Sequence, residues 1–104
     1  MISDARAEEA LEYLQSTTGT IGEAKAELER SEIMRKRIRK RVFLASTGTV
    51  AERDAQAECT EDVQFADDRY IAAIQAYESL RAKRQIEEIA LEVWRTEEAS
   101  RRMR

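Results

Sequence analysis

Histidine and proline are absent from the 104 residues, cysteine and tryptophan occur once each, and glycine occurs three times. The lack of histidine removes the commonest general base near neutrality, the usual nucleophile–base pairs and most transition-metal sites. With Cys59 alone, neither an intramolecular disulfide nor a thiolate metal cluster can form, which fits a reducing, cytoplasmic setting. Without a histidine to activate it, Cys59 reads as a small buried apolar residue and not as a nucleophile. Gly19 and Gly22 have neither the lysine nor the spacing of a phosphate loop. No apolar run approaches the roughly 18 residues that span a membrane. The opening stretch MISDARAEEALEYL is acidic and lacks a basic region followed by an apolar one, so it does not read as a signal peptide. No cofactor is implied, and conventional enzyme chemistry has no residues to run on.

What is present favours helix. Charged residues make up 38% of the chain and aromatics 6%, the balance of a helical protein with a thin core. The length suits one domain, 1–104, which buries only about two thirds of its unfolded surface. Ser3 is a candidate N-cap. Behind it Ala7, Ala10, Leu11, Leu14, Ile21, Ala24, Leu28, Ile38 and Val42 share one face of a helix expected over 3–46. Two glycines and three threonines within 16–22 predict a bend or short break there, with the helix resuming in register. Thr47-Gly48 reads as a stop, and Thr49 with Glu52 as a capping box opening a short helix over 50–59. Thr60 can cap a second long helix over 61–103.

Charge alternates along the chain. Residues 1–33 carry net −5, 34–45 net +6, 46–80 net −6 and 81–104 net +2. Folding the chain back on itself near 46–60 brings opposite signs together at both ends. Arg35–Arg41 then lies beside Glu61, Asp62, Asp67 and Asp68, and Glu23, Glu27 and Glu29 lie near Arg81, Lys83 and Arg84. The expected fold is therefore all-α: a long antiparallel helical hairpin, coiled-coil-like, with a short helix at the turn. Within 61–103 one stripe holds Val63, Ala66, Tyr70, Ala73, Ile74, Tyr77 and Leu80. Ile71, Ile86, Ile89 and Val93 lie roughly opposite, with Trp94 between. Two helices share one seam and cannot bury both stripes. Assembly into a helical-bundle homo-oligomer through Ile71, Ile86, Ile89, Val93 and Trp94 would bury the remainder. The alternative cover is the short helix at 50–59. Trp94 is placed near Leu11 and Leu14, either in the core or on a subunit seam.

Arg35, Lys36, Arg37, Arg39, Lys40 and Arg41 put six bases into seven residues. One reading is a nucleic-acid contact through the phosphate backbone, without base readout, since Phe43 is the only aromatic nearby. The other is a helix C-terminus that favours cations and faces an acidic helix start. Such a cluster surrounds the helix axis, and acidic neighbours cannot neutralise all of it. Glu8, Glu9 and Glu12 spell the E-E-x-x-E pattern of all-α nucleotide pyrophosphohydrolases. The second acidic motif that chemistry needs is matched poorly by Glu58-Cys59-Thr60-Glu61, so no metal site is assigned.

The segment IEEIALEVWRTEEASRR (86–102) resembles the C-terminal endings, of the form IEVWRT-x-EA-x-RR, of small all-helical proteins of tailed bacteriophages. The likeness covers about 17 residues and carries no site residues. It implies a protein acting in the cytoplasm of an infected bacterium, on a phage or host protein or as an accessory to DNA replication or recombination. The expectation is a non-enzymatic interaction or assembly factor. The alternative is a nucleic-acid-binding accessory protein using the cluster at 35–41.

Overall fold

The computed structural model describes residues 1–103, and among these all regular structure is helical: α1 (Asp4–Ser16), α2 (Thr18–Ala45), α3 (Val50–Cys59) and α4 (Glu61–Arg102). Ser3 caps α1, its Oγ accepting from the Arg6 amide at 3.1 Å. Thr49 caps α3 in the same way through the Glu52 amide at 3.2 Å. Gly48 precedes it at φ 114°, a conformation that side chains disfavour, and the Glu52 carboxylate folds back into the space a Cβ would occupy. Thr60 departs from expectation. Its hydroxyl donates backward to the Gln56 carbonyl at 2.7 Å, closing the end of α3, while α4 starts on the Thr60 carbonyl through the Gln64 amide. A threonine between two helices serves either end, and here the released carbonyl of α3 takes it.

Only Thr17 separates α1 from α2. The backbone ladder runs on through the break, from the Thr17 amide to the Tyr13 carbonyl and from the Ile21 amide to the Thr17 carbonyl, at 3.0 and 2.9 Å. Hydroxyls cluster on the carbonyls just before it. Ser16 and Thr17 both donate to Tyr13, and Thr18 donates to Leu14. Such side-chain bonds compete with the helical ladder. Arg84 of α4 donates to the Leu14 carbonyl at 2.8 Å and also bonds the Thr17 hydroxyl, so the break is held from across the interface.

By contacts the chain divides into two compact units, one of Met1–Glu23 with the chain from Glu78 onward, the other Ala24–Tyr77. In the first, α1 and the C-terminal part of α4 run antiparallel. The Ile2 amide meets Glu97, Trp94 Nε1 donates to Asp4 at 2.9 Å, and Arg6 grips Glu87 with two bonds of 2.5 and 3.0 Å. The buried cluster is Ala7, Ala10, Ala90 and Leu91, with Ile2, Leu14 and Trp94 packed on it. In the second unit the buried side chains are Ser31, Ala57, Val63, Ala66 and Ala73. The largest that are fully buried anywhere in the described chain are Val63 and Ser31.

Inward positions of α4 alternate in steps of three and four: Val63, Ala66, Tyr70, Ala73, Tyr77, Leu80, Arg84, Glu87, Leu91 and Trp94 are all buried or half-buried. The inward face therefore follows one 3-4 alternation that drifts gradually, by about 20° per heptad, and does not switch between two opposed stripes. Arg84 and Glu87 occupy inward positions and interrupt an otherwise apolar seam, while Ile86, Ile89 and Val93 lie on the outer face. The first chain segment shows the same alternation, from Ala7 and Ala10 through Leu14, Thr17, Ile21, Ala24, Leu28 and Ser31 to Arg35, Ile38 and Val42. Thr17 keeps the count unbroken, so the two sides of the break present one face.

Removing the Arg84 guanidinium leaves the Leu14 carbonyl and Thr17 without their cross-helix partner. Replacing Arg84 by Met should cost about 1–3 kcal/mol, by analogy with other hydrogen bonds to charged groups. That is a fall of at least about 4 °C in the thermal midpoint, read by circular dichroism. An unchanged midpoint would show that the staple contributes nothing.

Candidate interaction surfaces

The basic segment occupies the last turns of α2, and the structure divides it. Arg35 is half-buried, 3.5 Å from Asp67, with its guanidinium 4.8 Å from the centroid of the Tyr70 ring. Lys36 pairs along its own helix with Glu32 at 3.2 Å, and Arg39 reaches Glu58 of α3 at 3.0 Å. Arg37, Lys40 and Arg41 are exposed and have no carboxylate within ion-pairing distance among the described residues. Three of the six cations are thus paired, and the other three have no such partner among the described residues. The partners differ from those expected: Asp67 is met, but Glu61, Asp62 and Asp68 form no ion pair among the described residues, and Glu58 takes Arg39 because α3 lies against α2.

The acidic stretch before it also pairs differently. Glu27 accepts from Arg69 at 3.0 Å and from Arg30 at 2.9 Å, not from Arg81, Lys83 or Arg84. Arg81 instead turns to Glu78 on its own helix. The bonds from Arg69 hold the Glu27 carboxyl below its ordinary value of 4.5, with those from Arg30 adding to the effect. In the other unit, the Glu87 hydrogen bonds raise the Arg6 guanidinium above its ordinary value.

A depression of about 500 Å³ opens on the basic face of α2 beside α3. Ile33 and Phe43 are its apolar lining, together with Lys36, Arg37, Arg39 and Lys40; Asp54 of α3 is the one acid among the described lining residues. On α3, Arg53 lies over the Phe43 ring, 5.6 Å from its centroid. Helical spacing explains the grouping, since Ile33, Lys36, Arg37, Lys40 and Phe43 share one side of α2.

The residues expected at a subunit interface are exposed with one exception. Ile86 is 60% exposed, Ile89 54%, Ile71 52% and Val93 40%, whereas Trp94 is half-buried on the cluster of Ala7, Ala10, Ala90 and Leu91, near Asp4 and Leu11 and not near Leu14, which lies by Arg84. Phe65 went unremarked in the sequence reading and is more exposed still, at 72%. It stands two residues from Val63 and so points away from the seam, a signal available from the helical repeat. Arg6, Glu87 and Arg84 are half-buried charged residues that apolar periodicity does not reveal.

Cys59 is exposed at the end of α3, not buried as its isolation suggested. It falls on the solvent side of a short helix whose one buried position is Ala57. Glu8, Glu9 and Glu12 are exposed along α1. Among the described residues no three aspartate, glutamate or cysteine side chains gather as a metal-holding group. No described helix is long and apolar enough to cross a membrane. No family model, curated protein or solved structure matches the chain.

The Glu27 carboxyl, depressed in the folded protein, contributes stability that is present above its unfolded value and lost as pH falls through the folded value. The acid limb of a stability–pH curve should therefore flatten in Glu27→Gln, with little change near pH 7 in slope. A variant with an unaltered acid limb would mean that the contacts to Arg69 and Arg30 do not couple to folding.

Proposed function

We propose that the protein is a non-enzymatic helical interaction or assembly factor that works as a homo-oligomer, its helices paired antiparallel as a coiled-coil-like hairpin. One observation carries the reading. The buried side chains are mostly alanine, while Ile86, Ile89 and Val93 stand together on the outer face of α4 in water. A chain that leaves three such side chains in water beside a core rich in alanine keeps apolar surface open to a partner.

Magnitudes support assembly and limit it. Fully burying such a side chain contributes about 1.5–3 kcal/mol. These three are already about half covered, which leaves roughly 3 kcal/mol per copy and roughly 6 for a symmetric pair. Association costs about 4–15 kcal/mol in lost freedom. The stripe alone offsets only the lower end of that range, so a stable oligomer needs a second contact.

The phage resemblance of 86–102 supports a setting in which the oligomer meets a phage or bacterial host protein in the cytoplasm. A second reading, a nucleic-acid accessory role, is favoured by Arg37, Lys40 and Arg41, which are exposed and unpaired. Phosphate contact by these three would give binding that falls steeply with salt.

Light scattering after size exclusion separates the two. The oligomer reading expects a dimer or larger wild type, and a monomer for Ile86→Glu/Ile89→Glu with its helix content retained. A monomeric wild type that shifts mass with a short duplex or single-stranded DNA, reversibly with salt, would replace it by the second reading.

A further inference from the structure

The second unit carries two surfaces that complement each other and do not meet within one chain. The first is the depression on α2, lined by apolar Ile33 and Phe43 and by four cations, of which Arg37 and Lys40 have no ion-pair partner among the described residues. The second is Phe65 on the outer side of α4. One turn before it are Glu61 and Asp62 and one turn after it Asp68, all exposed and none in an ion pair among the described residues. Arg69, the one base within a turn of Phe65, is turned to Glu27. The result is an aromatic knob in an acidic ring and an apolar hollow in a basic one.

We infer that the depression on α2 receives Phe65 of a second copy of this chain, with Asp62 and Asp68 of that copy set against Arg37 and Lys40. Three features select this occupant. The hollow of about 500 Å³ has room for a phenyl ring, which a nucleic-acid backbone would leave unfilled. Its charge is opposite to that of the knob. Both halves are on every copy, so a two-fold pair makes the contact twice. Phe43 lines the hollow and puts an aromatic side chain within reach of the entering ring. The inference rests on the proposed self-association and supplies the second contact that the α4 stripe requires.

Charge exchange tests it on the full chain. Arg37→Glu/Lys40→Glu sets an acidic hollow against an acidic knob, and Asp62→Lys/Asp68→Lys sets a basic knob against a basic hollow. Each variant alone should self-associate at least about tenfold more weakly than wild type, in line with like charges brought together at an interface. Mixed one to one, they should form a mixed assembly, because both contacts then join opposite charges. Recovery on mixing also shows that both variants fold. Phe65→Ala should weaken association by a similar factor in all salt concentrations, whereas the charge effect should shrink in about 0.5 M salt.

Variants that assemble as wild type does, or a mixture that recovers nothing, would overturn the inference and leave the oligomer itself standing. A monomeric wild type would remove the proposed function as well. Binding of DNA that disappears in Arg37→Glu/Lys40→Glu and is untouched by Phe65→Ala would assign the hollow to polyanions instead.

Discussion

Alanine along the seam sets the terms for everything else. Where Ala7, Ala10 and Ala90 meet, the helices approach closely, but each alanine removes little apolar surface from water. Cohesion then depends on groups that reach across. In the first unit these are polar: Arg6 on Glu87, Trp94 on Asp4 and Arg84 on the carbonyl of Leu14. In the second they are Arg35 on Asp67 and Tyr70, and Arg69 on Glu27. An apolar seam this thin accepts many sliding positions, and directional bonds select one. A two-bond guanidinium–carboxylate contact tolerates little displacement along the axis.

The same economy inside explains the outside. Isoleucines that a thicker helix pair would use internally stand at positions 71, 86 and 89 in contact with water. The unpaired cations of α2 and the unpaired acids around Phe65 belong to the same picture. Both are what remains after the internal pairs have formed. Surface ion pairs contribute little each, about 0–1 kcal/mol, so leaving these groups open costs the monomer almost nothing.

Most of the architecture was legible because helix signals are local. The absence of proline, the Thr47-Gly48 stop and the Thr49 cap all act within a turn of chain, and so does the weak stretch around Thr17. Pairing was less legible. The alternation of charge pointed to opposite signs facing each other, yet the partners of Glu27 and Arg39 depend on where α3 lies. The inward face of α4 was misread because Arg84 and Glu87 stand where apolar residues were expected. Counting in steps of three and four without regard to polarity would have placed them inside. Cys59 shows the opposite error, in which residue type was allowed to outweigh position.

The single-residue interruption at Thr17 has a consequence for the length of the chain. Connections between helices usually accept insertions, since they run over the surface and carry no phase. Here the hydrogen-bond ladder and the alternation of inward positions both pass through the break. One added residue would turn α1 by about 100° and swing Ala7 and Ala10 away from Ala90 and Leu91. Seven added residues would turn it by only about 20° but slide it by about 10 Å along α4, taking Arg6 and Asp4 away from Glu87 and Trp94. What looks like a joint is in effect a spacer of fixed length, set by rotation about the axis and by displacement along it together.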